Sequence, residues 1–180
     1  LRDADTAMYS AKALGKAQYQ IFDAKMHMQA LTLLQIESDL RRAIEREEFE
    51  VNYQPIVSLQ SGRISGFEAL VRWRHPERGP IPPSDFIPIA EETGLIIQID
   101  RWVLKQACLQ MRRWREALPV TRRMKISVNL SCKQFMQPTI VAQVLETLQE
   151  TGLDSASLKL EITESVMMER GDYAMSVLEQ

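Results

Sequence analysis

The spacing of hydrophobic and polar positions changes period several times along the chain, and each change predicts an element. Ala7, Met8, Ala11 and Leu14 recur at helical intervals, with Gly15 where a left-handed C-cap would sit, and Tyr19 to Phe22 follows as a short strand. Asp23 opens a second helical pattern through Leu31, Leu34, Leu40 and Ile44 to the charged run Arg46-Glu47-Glu48. With no partner helix in sequence, it reads as a connector between folded units. From Phe49 the period becomes two: Phe49, Val51 and Tyr53 alternate with Glu50, Asn52 and Gln54, and Pro55 limits pairing at the strand's end. The turn Gln60-Ser61-Gly62-Arg63 is too short for a crossover helix, so the strands on either side of it are expected to be antiparallel neighbours. The second places Phe67, Ala69, Val71 and Trp73 on one face and Glu68, Leu70 and Arg72 on the other.

Beyond that strand, Pro76, Pro80, Pro82 and Pro83 mark a loop, and Ser84 stands as the N-cap of a short helix over Phe86, Ile89 and Ala90 to Gly94. A longer helix, Ile99 to Leu118, presents Trp102, Val103, Gln106, Ala107 and Met111 on its buried side and ends at Pro119. A strand over Lys125 to Ser131, a helix from Pro138 to Thr151 stopped by Gly152, and a strand over Leu158 to Thr163 complete the pattern. Strands alternating with helices predict parallel pairing through right-handed crossovers. Parallel strands covered on both faces read as unbroken apolar runs. These strands instead put Glu68, Asn129 and Glu161 opposite their aliphatic residues. Each therefore offers an apolar face to helices and a polar face to a shared interior, as in a (β/α) barrel with its site at the carboxyl ends of the strands.

Composition narrows the class. The 180 residues are 45% hydrophobic and 26% charged, which suits a globular chain with a sizeable core. A formal net charge of -2 leaves no basic footprint for duplex nucleic acid. No run approaches the ~18 consecutive apolar residues of a membrane span, and no leader pattern opens the chain. Leu1 stands in place of a starter methionine, as if the chain were cut from something longer. Cys108 and Cys132 do not make a disulfide framework, and the setting is read as reducing and cytoplasmic.

Glu68, Asn129 and Glu161 are oxygen donors on three strands, while His27 and His75 lie far apart. Oxygen-only donors point to Mg²⁺ or Mn²⁺ and away from zinc. Such a cation can activate water against phosphorus, and Arg72 could grip a phosphate oxygen with its fork of donors. That outlines phosphodiester hydrolysis. On spacing alone the alternative stands that these are solvated strand faces. Trp73, Trp102 and Trp114 read as core or interface, His75 as a turn residue, and Lys12 and Lys16 as charges at a helix end. Ser127 and Ser131 have no histidine and aspartate set to make a nucleophile.

Five ordered motifs add a resemblance: Tyr53-Gln54-Pro55-Ile56-Val57, Gly66 to Trp73, Pro83 to Glu91, Ser127-Val128-Asn129-Leu130-Ser131 and Leu160-Glu161-Ile162-Thr163-Glu164-Ser165. From about Leu33 onward the chain resembles the EAL family of cyclic-di-GMP phosphodiesterases. The resemblance implies a modified (β/α)₈ barrel with an antiparallel first strand, and hydrolysis of cyclic-di-GMP to linear pGpG with Mg²⁺ or Mn²⁺. Carried over by position, it implies Glu68, Asn129 and Glu161 as metal ligands, with Glu68 and Glu161 counted as catalytic. It likewise implies Gln54 and Arg72 as contacts to the dinucleotide, and Glu164 as the organiser of a loop beside the metal. It also implies a homodimer through the EAL domain.

The amino end, Ala4 to Lys12, Gly15-Lys16 and Tyr19 to Asp23, is similar to the closing helix and strand of GGDEF diguanylate cyclase domains. Their catalytic turn is absent, Lys12 matches a phosphate contact of that family, and Lys16 stands where arginine is usual. The expected organisation is residues 1–24 as a GGDEF remnant, 25–47 as a helical linker and 48–180 as the first half of an EAL barrel, in a parent that could carry an upstream sensory domain or a membrane tether. A barrel of this type runs to about 250 residues, so the family's paired aspartates, lysine, glutamate and glutamine would fall after Gln180. The segment alone is therefore expected not to turn over substrate. The rival readings are a silent cyclic-di-GMP receptor and a scaffold without nucleotide.

Overall fold

The computed structural model describes residues 24–162 and 171–178. The helix and strand expected before residue 24, with Lys12 and Lys16, lie outside the described residues, as does Glu164. The first described helix, α1 (Ala24–Glu45), buries Ile36, Leu40 and Ala43, spaced four and three apart on one face. Its last turns thus belong to the same core as the strands that follow.

Five strands form one sheet: β1 (Phe49–Val57), β2 (Ile64–His75), β3 (Gly79–Ile81), β4 (Lys125–Leu130) and β5 (Leu158–Ile162). The order across the sheet is β1-β2-β4-β5, with β3 alongside β2. β1 runs antiparallel to β2, as the short turn predicts, and β2–β4 and β4–β5 are parallel. The fold is thus a mixed α/β sheet with the strand order of half a (β/α)₈ barrel whose first strand is reversed. Gly66 faces Lys125 at the start of the β2–β4 ladder, where a Cβ would lie 2.5 Å from the Lys125 carbonyl oxygen. Only a residue without a side chain lets these backbones approach so closely.

The helices α2 (Pro83–Thr93), α3 (Ile96–Ala117), α4 (Cys132–Phe135), α5 (Ile140–Thr151) and α6 (Gly171–Leu178) follow. Ala69, Trp73, Ile126 and Val128, the inward side of the alternation, share one core with Phe86, Ile99, Leu104 and Met111 from the helices. Trp73 meets Phe86 edge to face, with centroids 5.6 Å apart and rings at 85°. Such pairs add ~0.5–1.5 kcal/mol beyond the area they bury. Trp102 and Trp114 pack at the margin of this core, as expected for core or interface residues.

Several boundaries differ from the sequence reading. β1 continues through Pro55 to Val57, with Pro55 opposite Phe67, because an edge strand needs no N–H on its open side. Pro82, rather than Ser84, occupies the N-cap of α2, and Ser84 instead donates from its hydroxyl to Asp85 Oδ1 at 3.0 Å. α3 begins three residues before Ile99, since Leu95 and Ile96 are themselves buried. The proline-rich loop contains β3, which extends β2 through Trp73↔Ile81. His75 accepts from the backbone N–H groups of Glu77 and Arg78, each at 3.2 Å, and its Nε2 lies 3.4 Å from the buried Asp39 of α1. It is a turn residue that also fastens α1 to the end of β2.

Candidate functional site

Alternation through these registers sends Gln54, Glu68, Arg72, Ser127, Asn129, Lys159 and Glu161 to the face opposite the core. Register aligns them in rows. Gln54, Glu68, Ser127 and Lys159 are successive partners across four strands, and Asn129 with Glu161 forms the next row toward the carboxyl ends. Asn129 closes the step between rows: its Nδ2 donates to Glu68 Oε1 at 2.7 Å. The three predicted oxygen donors therefore occupy adjacent strands on one face, with Glu68 and Asn129 in direct contact and Glu161 in register beside them.

Charge neighbours set the state of Glu161. Lys159 donates to its Oε1 at 3.0 Å, and this bond holds the carboxyl below its ordinary range, with burial opposing and the Ser127 hydroxyl assisting. Ser127, in the row of Glu68, is buried. Lys159 and Ser127 were absent from the sequence-derived set, although the same period-two alternation that selected Glu161 places both on its face.

Arg72 stands four residues beyond Glu68 on the same face, about 13 Å further along β2 at ~3.3 Å per residue. It is half-buried, and its Nη1 donates to the Val71 carbonyl at 2.8 Å. Its register partner Glu50 pairs instead with Arg74 through Nε at 2.6 Å, which leaves Arg72 without that carboxylate. Gln54 is exposed on β1 directly across from Glu68. Residue 72 is thus placed to meet a second part of a ligand whose first part lies at Glu68.

Two carboxylates and one amide supply oxygen only, a donor set that fits a hard divalent cation completed by further oxygen ligands. Turning the Asn129 amide would present Oδ1 in place of Nδ2, and the two orientations occupy the same space. Among the described residues no group of three His, Cys, Asp or Glu comes together as a metal site. The site therefore depends on the asparagine. Both cysteines are free, and no helix among the described residues is long and apolar enough to cross a membrane.

The turn after Asn129 carries a feature that sequence periodicity could not show. Ser131 caps α4, accepting from the Gln134 N–H at 3.2 Å, while its own N–H donates to Asp100 Oδ2 at 3.0 Å. Asp100, in the first turns of α3, is buried, and that burial pushes its carboxyl up to about 6 against the opposing pull of the Ser131 bonds. It falls among apolar neighbours in the helical pattern, so spacing alone marks it only as an odd polar position in a core stripe.

Comparison with known proteins identifies the family. The family model described as EAL domain matches residues 37–180. The bifunctional diguanylate cyclase/cyclic di-GMP phosphodiesterase MucR of Pseudomonas aeruginosa is 43% identical over 178 residues, covering 99% of this chain and 26% of that protein. The cyclic di-GMP phosphodiesterase PdeR of Escherichia coli K12 is 38% identical over 180 residues, covering 100% of this chain and 27% of its own length. Among solved structures, the PaMucR phosphodiesterase in complex with c-di-GMP superposes with a TM-score of 0.77 at 44% identity, covering 81% of this chain and 58% of that one. The chain thus spans about a quarter of these curated relatives and a little over half of the solved domain. With the reversed first strand, the polar row and the family match in agreement, the chain belongs to the EAL domain family.

Proposed function

We propose that this chain is the amino-terminal part of a domain that hydrolyses cyclic-di-GMP to linear pGpG with Mg²⁺ or Mn²⁺. The observation that carries the reading is the Asn129–Glu68 contact at 2.7 Å with Glu161 in register, in a chain of this family. Glu68, Asn129 and Glu161 would hold the cation, which supplies Lewis acidity toward a phosphate oxygen and a more acidic water. Gln54 and Arg72 bind and orient the dinucleotide, Arg72 through charge-assisted bonds to phosphate. Lys159 pairs with Glu161 and favours its ionised form, and Glu164 organises the following loop.

Residues 1–24 are proposed as the tail of a GGDEF domain and 25–47 as the linker, giving a tandem arrangement. Supporting this, the MucR relative, whose name includes a diguanylate cyclase, aligns with 99% of the chain and so also with its amino end. The full-length protein is proposed to act in the cytoplasm as a homodimer through its EAL domains, with room for an upstream sensory domain. The 180-residue segment alone is expected to be inactive, because it matches only 58% of the solved PaMucR phosphodiesterase chain.

The test is chromatographic separation of cyclic-di-GMP from pGpG after incubation with the full-length protein in Mg²⁺ and, separately, in Ca²⁺. Production of pGpG in Mg²⁺ supports the enzyme. Binding without turnover in Mg²⁺ contradicts it and assigns a receptor, and neither binding nor turnover leaves a scaffold.

A further inference from the structure

A buried carboxylate costs several kcal/mol unless its partners compensate, so its presence in a core stripe calls for a local reason. Asp100 is such a group. Its partner is not a cation but the N–H of Ser131 at 3.0 Å, supplemented by the Ser131 hydroxyl, while Glu91 repels it. Ser131 follows β4 immediately and begins α4, so the bond from α3 fixes where the strand ends and the helix starts. Asn129 lies two residues upstream on that strand, and its amide joins Glu68 to the row that holds Glu161. A charge-assisted bond to a backbone N–H is about twice as strong as a neutral one, which suits an anchor rather than filler.

We propose that Asp100 is a positioning residue for the cation site: by holding the Ser131 N–H it sets the height of Asn129 between Glu68 and Glu161. The inference rests on the reading of that site as a divalent-cation site. Asp100 touches neither cation nor substrate, and its effect passes through the backbone of residues 129–131. Outer partners of this kind change metal affinity by ~10–100-fold when removed.

The test uses Mn²⁺ binding to the full-length protein without nucleotide, followed by electron paramagnetic resonance, together with kcat and KM. Asp100→Leu fills the space and removes the acceptor. Asp100→Asn keeps an acceptor oxygen. Ser131→Pro removes the donor from the other side together with the hydroxyl that caps α4, and its ring suits the observed φ of -65°. The leucine and proline variants are expected to bind Mn²⁺ at least ~10-fold more weakly, with kcat reduced and the KM for cyclic-di-GMP little changed, while the asparagine variant stays within about threefold of wild type. If the leucine variant fails to fold, the proline variant decides. Wild-type Mn²⁺ affinity in the folded leucine or proline variant overturns the positioning role, as does an asparagine variant as weak as leucine. Absence of Mn²⁺ binding in the wild type overturns the cation site itself, which separates the two failures.

Discussion

Asn129 and Glu68 sit on neighbouring parallel strands, and the Asn129 amide nitrogen donates to a Glu68 carboxylate oxygen at 2.7 Å. The bond makes one unit of residues 61 positions apart. Replacing either by alanine in the full-length protein should lower kcat by ~100-fold or more, since loss of a cation's charge stabilisation is worth several kcal/mol. Because the two act together, the double variant should be little worse than either single one. Steady-state kinetics on the four proteins checks this, and additive losses would show that the two act independently.

Arg72 offers a second, separable effect. It lies further along the same face, and among the described residues its fork engages only the Val71 carbonyl. Arg72→Lys keeps the charge but not the planar fork, so affinity for cyclic-di-GMP should fall about 10-fold, and Arg72→Ala should cost more, with Mn²⁺ affinity unchanged in both. Titration calorimetry with nucleotide and with metal separately reads the two effects.

Gly66→Ala should destabilise the domain by about 1–3 kcal/mol, because the new Cβ meets the backbone oxygen of Lys125 rather than a flexible side chain. The strain enters at the start of the β2–β4 ladder, two residues before Glu68. Urea unfolding measures the loss, and a midpoint equal to wild type would show that the strands separate without cost.

Asp100 also predicts a pH dependence of stability. Its carboxyl is raised from 3.8 to about 6 by burial, so between those values the folded state keeps a proton that the unfolded chain releases. This group's contribution is therefore fully present below about pH 4 and is lost as pH rises through about 6, a change of up to about 3 kcal/mol. Asp100→Asn should remove that part of the slope. Unfolding free energies of wild type and variant from pH 4 to 7 give the comparison, and parallel curves would contradict it.

Much of the fold was legible because two periodicities dominate the chain. The alternation over Phe67 to Trp73 assigned both faces of β2 correctly, and the turn at Gln60 to Arg63 fixed the antiparallel pairing of β1. The oxygen donors could be named from the same alternation plus motif order, and Lys159 and Ser127 were readable by it but carry no motif of their own. The contacts that alternation cannot reach were missed. Asp100 finds Ser131 across 31 residues, and Asp39 finds His75 across 36, through the packing of helices whose azimuth no local pattern specifies. Capping failed at Ser84 because Pro82 and Pro83 already fix the backbone entering α2, so no side-chain cap is required.

The central claim is that Glu68, Asn129 and Glu161 jointly hold one divalent cation. A crystal structure of the full-length protein grown with Mn²⁺, with the metal located by its anomalous scattering, tests it most directly. A single peak is expected within coordination distance of oxygens from all three side chains, with Asn129 turned to present Oδ1. A peak that excludes Asn129 or Glu161, or Mn²⁺ bound elsewhere with the Asn129–Glu68 bond intact, would contradict it.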